Sequence, residues 1–235
     1  FYYKGEYHLF YQYNPFGNEW GHMSWGHAIS RDLVHWSHQP VALREENGVM
    51  IFSGSAVVDW KNSSGFGSKR ETPMVAIYTG HTSSNQHQSI AYSTDRGRSW
   101  TKYAFNPVLD IGKRDFRDPK VIWHKPSGQW LMVVSLPTEK KVQFYRSPDL
   151  KEWKFLSAFG PAGNSSGIWE CPDFFPLKVK GEKLEKWVLL VNINPGGPAG
   201  GTACQYFLGD FDGTSFSADP APPVTPKLGG QSDPG

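Results

Sequence analysis

Ala28-Ile29-Ser30-Arg31-Asp32-Leu33-Val34-His35-Trp36 reads as a strand ending in Ser-x-Asp, a polar turn, and a tryptophan that opens the next strand. The same sentence is written three more times. Ala91-Tyr92-Ser93-Thr94-Asp95-Arg96-Gly97-Arg98-Ser99-Trp100 repeats it with one residue inserted, and Tyr145-Arg146-Ser147-Pro148-Asp149-Leu150-Lys151-Glu152-Trp153 repeats it without the insertion. Leu208-Gly209-Asp210-Phe211-Asp212-Gly213-Thr214-Ser215-Phe216 is a degenerate fourth copy with phenylalanine at the anchor. Asp and Gly suit the tight turn, and the aromatic that follows covers a neighbouring strand. The anchors recur roughly every 60 residues, which leaves room for about four strands per unit, the pattern of β-propeller blades. The competing reading is a β-sandwich with recurring hairpins.

Outside the repeat, strand signals dominate. Tyr7–Tyr13, Met74–Thr79, Trp130–Ser135 and Trp187–Val191 are short apolar or aromatic runs bounded by turn residues, and no segment keeps a 3.6-residue period over three turns. Gly 25 and Pro 18 in 235 residues agree with many turns. The 10 Trp residues suit strand pairs and sugar faces alike, most of them expected in the core. Lys+Arg 24 against Asp+Glu 22, without a basic block, gives no footprint for nucleic acid. No apolar run approaches membrane-spanning length. The two cysteines, Cys171 and Cys204, fit no zinc spacing. His22, His27, His35 and His38 cluster near the start of the chain, but their spacing follows strands and turns, so no metal is expected.

The residues that carry chemistry are two carboxylates in polar-aromatic surroundings: Asp118 in Arg117-Asp118-Pro119, and Glu170 in Trp169-Glu170-Cys171-Pro172-Asp173. A pair of carboxyl groups is what glycoside hydrolysis requires. Together with Tyr11-Gln12-Tyr13-Asn14-Pro15, Trp25-Gly26-His27, Phe52-Ser53-Gly54-Ser55 and Gln205–Phe211, they stand in an order that resembles the β-fructosidases of glycoside hydrolase family 32, in particular its levanase and exo-inulinase branch.

The resemblance implies an all-β, five-bladed β-propeller. On that reading the chain holds about four blades over 1–217, lacks the opening strand and the closing blade, and ends in a Pro/Gly-rich connector or unpaired tail over 218–235. It implies exo-acting hydrolysis of terminal β-D-fructofuranosides in levan, inulin and sucrose, without a cofactor. A polymeric substrate implies secretion. Glu170 is then the general acid/base, Asp118 holds sugar hydroxyls and steadies the transition state, and Gln12, Trp20, Phe52, Ser53 and Arg117 contact the substrate. Trp25 and His27 are expected to pack the first blade, and Tyr78 to lie in the core.

Arg117 is expected to keep its neighbour Asp118 ionised. Trp169 and Cys171 are expected to give Glu170 the poorly hydrated shell that an acid catalyst uses. The family's nucleophile sits in a Trp-Met-Asn-Asp-Pro-Asn-Gly signature expected just upstream of Phe1. The Asp-Pro pairs at Asp219-Pro220 and Asp233-Pro234 lack that context and do not replace it. Two further readings are a sugar-binding propeller without activity and an arabinan- or xylan-cleaving propeller of a related family. Asn62-Ser63-Ser64 and Asn164-Ser165-Ser166 match glycosylation sequons, a pattern short enough to arise by chance.

Overall fold

The computed structural model describes residues 1–182, 184–198 and 200–220. It contains four antiparallel sheets, each a simple meander of consecutive strands. The first comprises β1 (Tyr2–Tyr3), β2 (Glu6–Tyr13), β3 (Ser24–Ser30) and β4 (Trp36–Leu43). The second comprises β5 (Met50–Val58), β6 (Met74–His81), β7 (Gln86–Ser93) and β8 (Thr101–Lys102), with β9 (Leu109–Lys113) also paired to β7. The third runs β10 (Arg117–His124), β11 (Gln129–Leu136), β12 (Lys141–Ser147) and β13 (Lys154–Phe159). The fourth runs β14 (Ile168–Lys178), β15 (Glu185–Asn194), β16 (Ala203–Phe211) and β17 (Phe216–Ala218). These are four propeller blades. The opening strand, expected to be missing, is represented by the two-residue pairing of Tyr2 with Tyr7 and Tyr3 with Glu6.

The core lies between blades. One cluster joins Trp25 and Leu43 of the first blade to Ile51, Ala76 and Tyr78 of the second. A larger one joins Val75, Ile77 and Ile90 to Val121, Trp130, Met132 and Val134 of the third. Another joins Leu131, Val133 and Phe144 to Trp169, Phe174, Leu189 and Val191 of the fourth. Sandwiching explains why β6 and β11, in the second and third blades, read as nearly continuous buried runs: their faces are covered by a neighbouring blade on either side. In the fourth blade β16 alternates instead, with Tyr206 and Leu208 exposed. Trp25, His27 and Tyr78 are buried as expected.

The repeated sequence forms the turn between the third and fourth strands of each blade. In copy one the Ser30 hydroxyl donates to Asp32, the Asp32 carboxylate accepts the N–H groups of Val34 and His35, and the Trp36 indole N–H donates to Leu33 O at 3.2 Å. In copy three Ser147 donates to Asp149, Asp149 accepts from Lys151 N and Glu152 N, and Trp153 donates to Leu150 O at 3.1 Å. In copy two Trp100 donates to Gly97 O at 3.2 Å, and in copy four Asp212 accepts from Thr214 N and Ser215 N. Each turn passes through a left-handed residue, Leu33 and Leu150 at φ 65°. The serine and aspartate supply locally the hydrogen bonds that the turning backbone loses. Of the tail expected over 218–235, residues 221–235, including Asp233-Pro234, lie outside the described residues.

Candidate active site

The first strands of blades two, three and four share an irregularity. Each has a β-bulge near its start: between Phe52 and Gly54 in β5, Arg117 and Lys120 in β10, and Glu170 and Asp173 in β14. Bulges re-aim side chains and break pairing, and they concentrate beside active sites. In β10 and β14 the device is the same, a left-handed residue followed by proline. Asp118 has φ 67° and precedes Pro119; Cys171 has φ 47° and precedes Pro172. Proline lacks an N–H and so is tolerated on these edge strands. In β5 the bulge rests on Gly54, where a Cβ would lie 2.1 Å from the Ile77 carbonyl oxygen.

The three bulges are tied to one another. Ser55 Oγ donates to Pro119 O at 2.9 Å and accepts from Val121 N at 3.0 Å, joining β5 to β10. Cys171 N donates to Asp118 Oδ2 at 2.8 Å, joining β14 to β10. Lys120 and Asp173 form an ion pair at 2.9 Å across the same seam. Behind them, the Thr79 hydroxyl accepts from Asp118 N at 2.9 Å and donates to Gln88, whose amide in turn donates to Phe116 O. A cleft of about 630 Å³ opens over these strands, lined by Gln12, Trp25, Ser53, Asp118, Lys120 and Cys171 among others.

Asp118 and Ser53 therefore lie in the cleft with Gln12, whose amide donates to Ile51 O at 3.1 Å. Glu170 sits beside the cleft residue Cys171, and Arg117 beside Asp118. Arg117 Nε and Nη2 both donate to Glu170 Oε1, at 3.1 and 3.0 Å. Of the expected site residues, Trp20, Phe52, Arg117 and Glu170 do not themselves line the cleft. Trp20, 73% exposed, meets Phe52 edge-on, and Phe52 stacks flat on His81 with ring centres 4.3 Å apart. These three rings form an aromatic group at the start of β5 and the end of β6.

Two electrostatic expectations need correction. Arg117 does not hold Asp118 simply ionised: burial pushes the Asp118 carboxyl above its ordinary range, against the pull of the Cys171 N–H and Arg117. Nor do Trp169 and Cys171 form a dry shell around Glu170. Trp169 is fully buried in the core between blades three and four, where its indole N–H donates to Asn164 O, and the partner of Glu170 is the Arg117 guanidinium. Strand alternation separates the neighbours: Trp169 faces inward and Glu170 outward. The Cys171 thiol is pushed up to about 12, by desolvation first and then by the Asp118 and Glu170 charges.

Sequence reasoning missed Thr79, Gln86, Gln88 and Asp115, which hold the Arg117–Asp118 segment from blade two and the adjoining loop. The nearest signal was their clustering in the strands before it. The sequon residues Asn62 and Asn164 have amides committed to loop hydrogen bonds, with Gly67 and Gly196. Among the described residues no group of three or more His, Cys, Asp or Glu side chains is placed to hold a metal.

The chain matches the model of the glycosyl hydrolases family 32 N-terminal domain over residues 1–229. It is 53% identical to the levanase of Bacillus subtilis (strain 168) over 224 residues, covering 94% of this chain and 33% of the levanase. It is 46% identical to the extracellular exo-inulinase inuE of Aspergillus niger over 246 residues, covering 93% of this chain and 46% of that protein. The crystal structure of exo-inulinase from Aspergillus awamori superposes with a TM-score of 0.89 at 45% identity, over 93% of this chain and 48% of that one. The chain thus spans about a third to a half of the length of these relatives.

Proposed function

The chain belongs to glycosyl hydrolase family 32, and from that premise we propose that it forms the substrate-holding part of a retaining exo-fructosidase. The observation that carries the proposal is the seam between β10 and β14. There two bulges, tied by the Cys171 N–H and the Asp118 carboxylate, put Asp118 and Cys171 in the wall of one cleft, with the ion-paired Arg117 and Glu170 their immediate chain neighbours. Gln12, Ser53 and Asp118 hold the hydroxyls of a terminal β-D-fructofuranosyl unit of levan, inulin or sucrose. Glu170 gives its proton to the leaving oxygen as the glycosidic bond breaks, while a nucleophilic carboxylate bonds to the anomeric carbon. Water then attacks the fructosyl intermediate, Glu170 takes the water's proton, and fructose leaves.

The nucleophile is proposed to belong to a segment outside this sequence. Phe1 lines the cleft, so a residue preceding it in a longer chain would be delivered there. Asp118 steadies positive charge developing on the sugar ring. The polymeric substrate, and the extracellular exo-inulinase among the relatives, support a secreted protein.

The test is fructose release from levan, inulin and sucrose by two polypeptides: this chain, and this chain at the length of its relatives with the Asn-Asp-Pro-Asn-Gly segment preceding Phe1. Release by the longer protein alone, abolished by Glu170→Gln, is expected. Fructan binding without release by either would favour the sugar-binding reading.

A further inference from the structure

We propose that Gln86 is a positioning residue that, through Arg117, holds the Glu170 carboxyl in the attitude from which it protonates the leaving oxygen. The inference rests on the reading of Glu170 as general acid. Its basis is the way the guanidinium is anchored. Arg117 spends Nε and Nη2 on one oxygen, Glu170 Oε1, and among the described residues Glu170 Oε2 accepts no hydrogen bond. Two contacts to one atom set the distance but let the two planes swing about it. The swing is stopped by Nη1, which donates to Asp115 Oδ1 at 2.9 Å and to Gln86 Oε1 at 3.2 Å. Asp115 is partly exposed, so solvent competes for it; Gln86 is 3% exposed and is the dry anchor.

Gln86 is itself locked. Its Oε1 also accepts Phe116 N–H at 2.9 Å, and its Nε2 lies 3.2 Å from His81 Nδ1. An oxygen with two donors fixes which way the amide faces, and the nitrogen is then a donor to His81. This assigns His81 Nδ1 as an acceptor, with the ring proton on Nε2. The His81 ring is stacked on Phe52, so one hydrogen-bonded chain runs from the aromatic group beside β5 through Gln86 and Arg117 to Glu170. None of its links is local in sequence except Gln86–His81 and Arg117–Asp115, and Gln86 stands in β7, outside every motif that marked the site.

A loss of aim in a general acid has a recognisable signature. Sugar and fructan leaving groups need a proton, whereas a nitrophenolate leaves without one. In a protein carrying this chain at the length of its relatives, Gln86→Met removes the acceptor while keeping the side-chain length. It is expected to lower kcat on sucrose by about 10- to 100-fold, with KM changed less than about twofold. On nitrophenyl β-D-fructofuranoside the loss is expected to stay under about threefold. Gln86→Glu, which restores an oxygen to Arg117 and Phe116 N–H, is expected to recover most of the sucrose activity. If Gln86→Met does not fold, Gln86→Asn, which withdraws the oxygen by one carbon, carries the same test with the same substrate pattern. Equal losses on both substrates, a loss confined to KM, or no loss at all would overturn the proposal. Glu170→Gln is the control: if it spares sucrose turnover, the acid assignment has failed rather than the role of Gln86.

Discussion

The turn between the third and fourth strands of each blade and the bulges that open β10 and β14 are both irregular backbone with left-handed residues, yet they are held in opposite ways. The turn is self-contained. Ser147, Asp149, Leu150 and Trp153 satisfy one another within seven residues, and the same bonds recur around Ser30 and Asp32. The bulges hold only because other blades reach in. Thr79 supports Asp118 N from 39 residues away, Ser55 engages Pro119 from 64, and Arg117 meets Glu170 from 53. A locally closed turn can be copied into every blade. A bulge closed by its neighbours depends on which blades meet there, and at the seam of β10 and β14 backbone strain coincides with a cleft, the Asp118 carboxyl in its wall and Glu170 next to the wall residue Cys171 in the chain.

Substitutions on the two sides should therefore fail differently. The largest effect is expected at Glu170. In a protein of the relatives' length, Glu170→Gln should cut fructose release from sucrose by about 100- to 10,000-fold, with melting unchanged, as measured by initial rates and calorimetry. Asp118→Asn should also abolish most activity, but with a stability signature of its own. Burial raises the folded-state pKa of Asp118, so the folded form favours the protonated group, and stability is lost as pH rises from the unfolded value through the folded one. The amide escapes that loss. Asp118→Asn should melt higher than the parent at neutral pH, and the gap should close below the ordinary carboxylate range.

Blade one offers a pH test with the opposite sign. His8 and His27 are buried, stacked and 3.1 Å apart, and burial lowers each from 6.5 to about 4. The folded state prefers both neutral, so melting temperature should fall as pH drops from about 6.5 towards 4. His27→Phe should flatten that slope. In the turns the effects are smaller and leave activity alone. Asp149→Ala gives up the Lys151 and Glu152 N–H bonds and should cost about 1–2 kcal/mol in denaturant unfolding. Leu33→Gly is the mildest. Leu33 is exposed at φ 65°, so glycine relieves strain while adding unfolded-state entropy, a net gain of about 0.5 kcal/mol. A loss of activity from either turn variant would erase the distinction drawn between turn and bulge.

The same distinction explains what could be read in advance. The Ser-x-Asp-to-Trp turns were legible because every bond lies inside the repeated string, and four copies fixed the blades. Asp118 and Glu170 were legible as paired carboxylates in a family order. Their partners were not. Arg117 is beside Asp118 in the chain, but its guanidinium serves Glu170; Trp169 is beside Glu170, but strand alternation turns it into the core. Thr79, Gln86 and Gln88 sit in ordinary-looking strands and acquire their roles only when blade two packs against blade three. The prolines after Asp118 and Cys171 marked restricted backbone, but not that the two bulges would meet.

The most direct test of the central claim is a crystal structure of the Glu170→Gln variant, at the length of its relatives, with a short fructan bound. The account predicts the terminal fructosyl ring within hydrogen-bond distance of Asp118, Ser53 and Gln12, with its glycosidic oxygen facing position 170. A ring bound elsewhere, with the bulged seam empty, would contradict it.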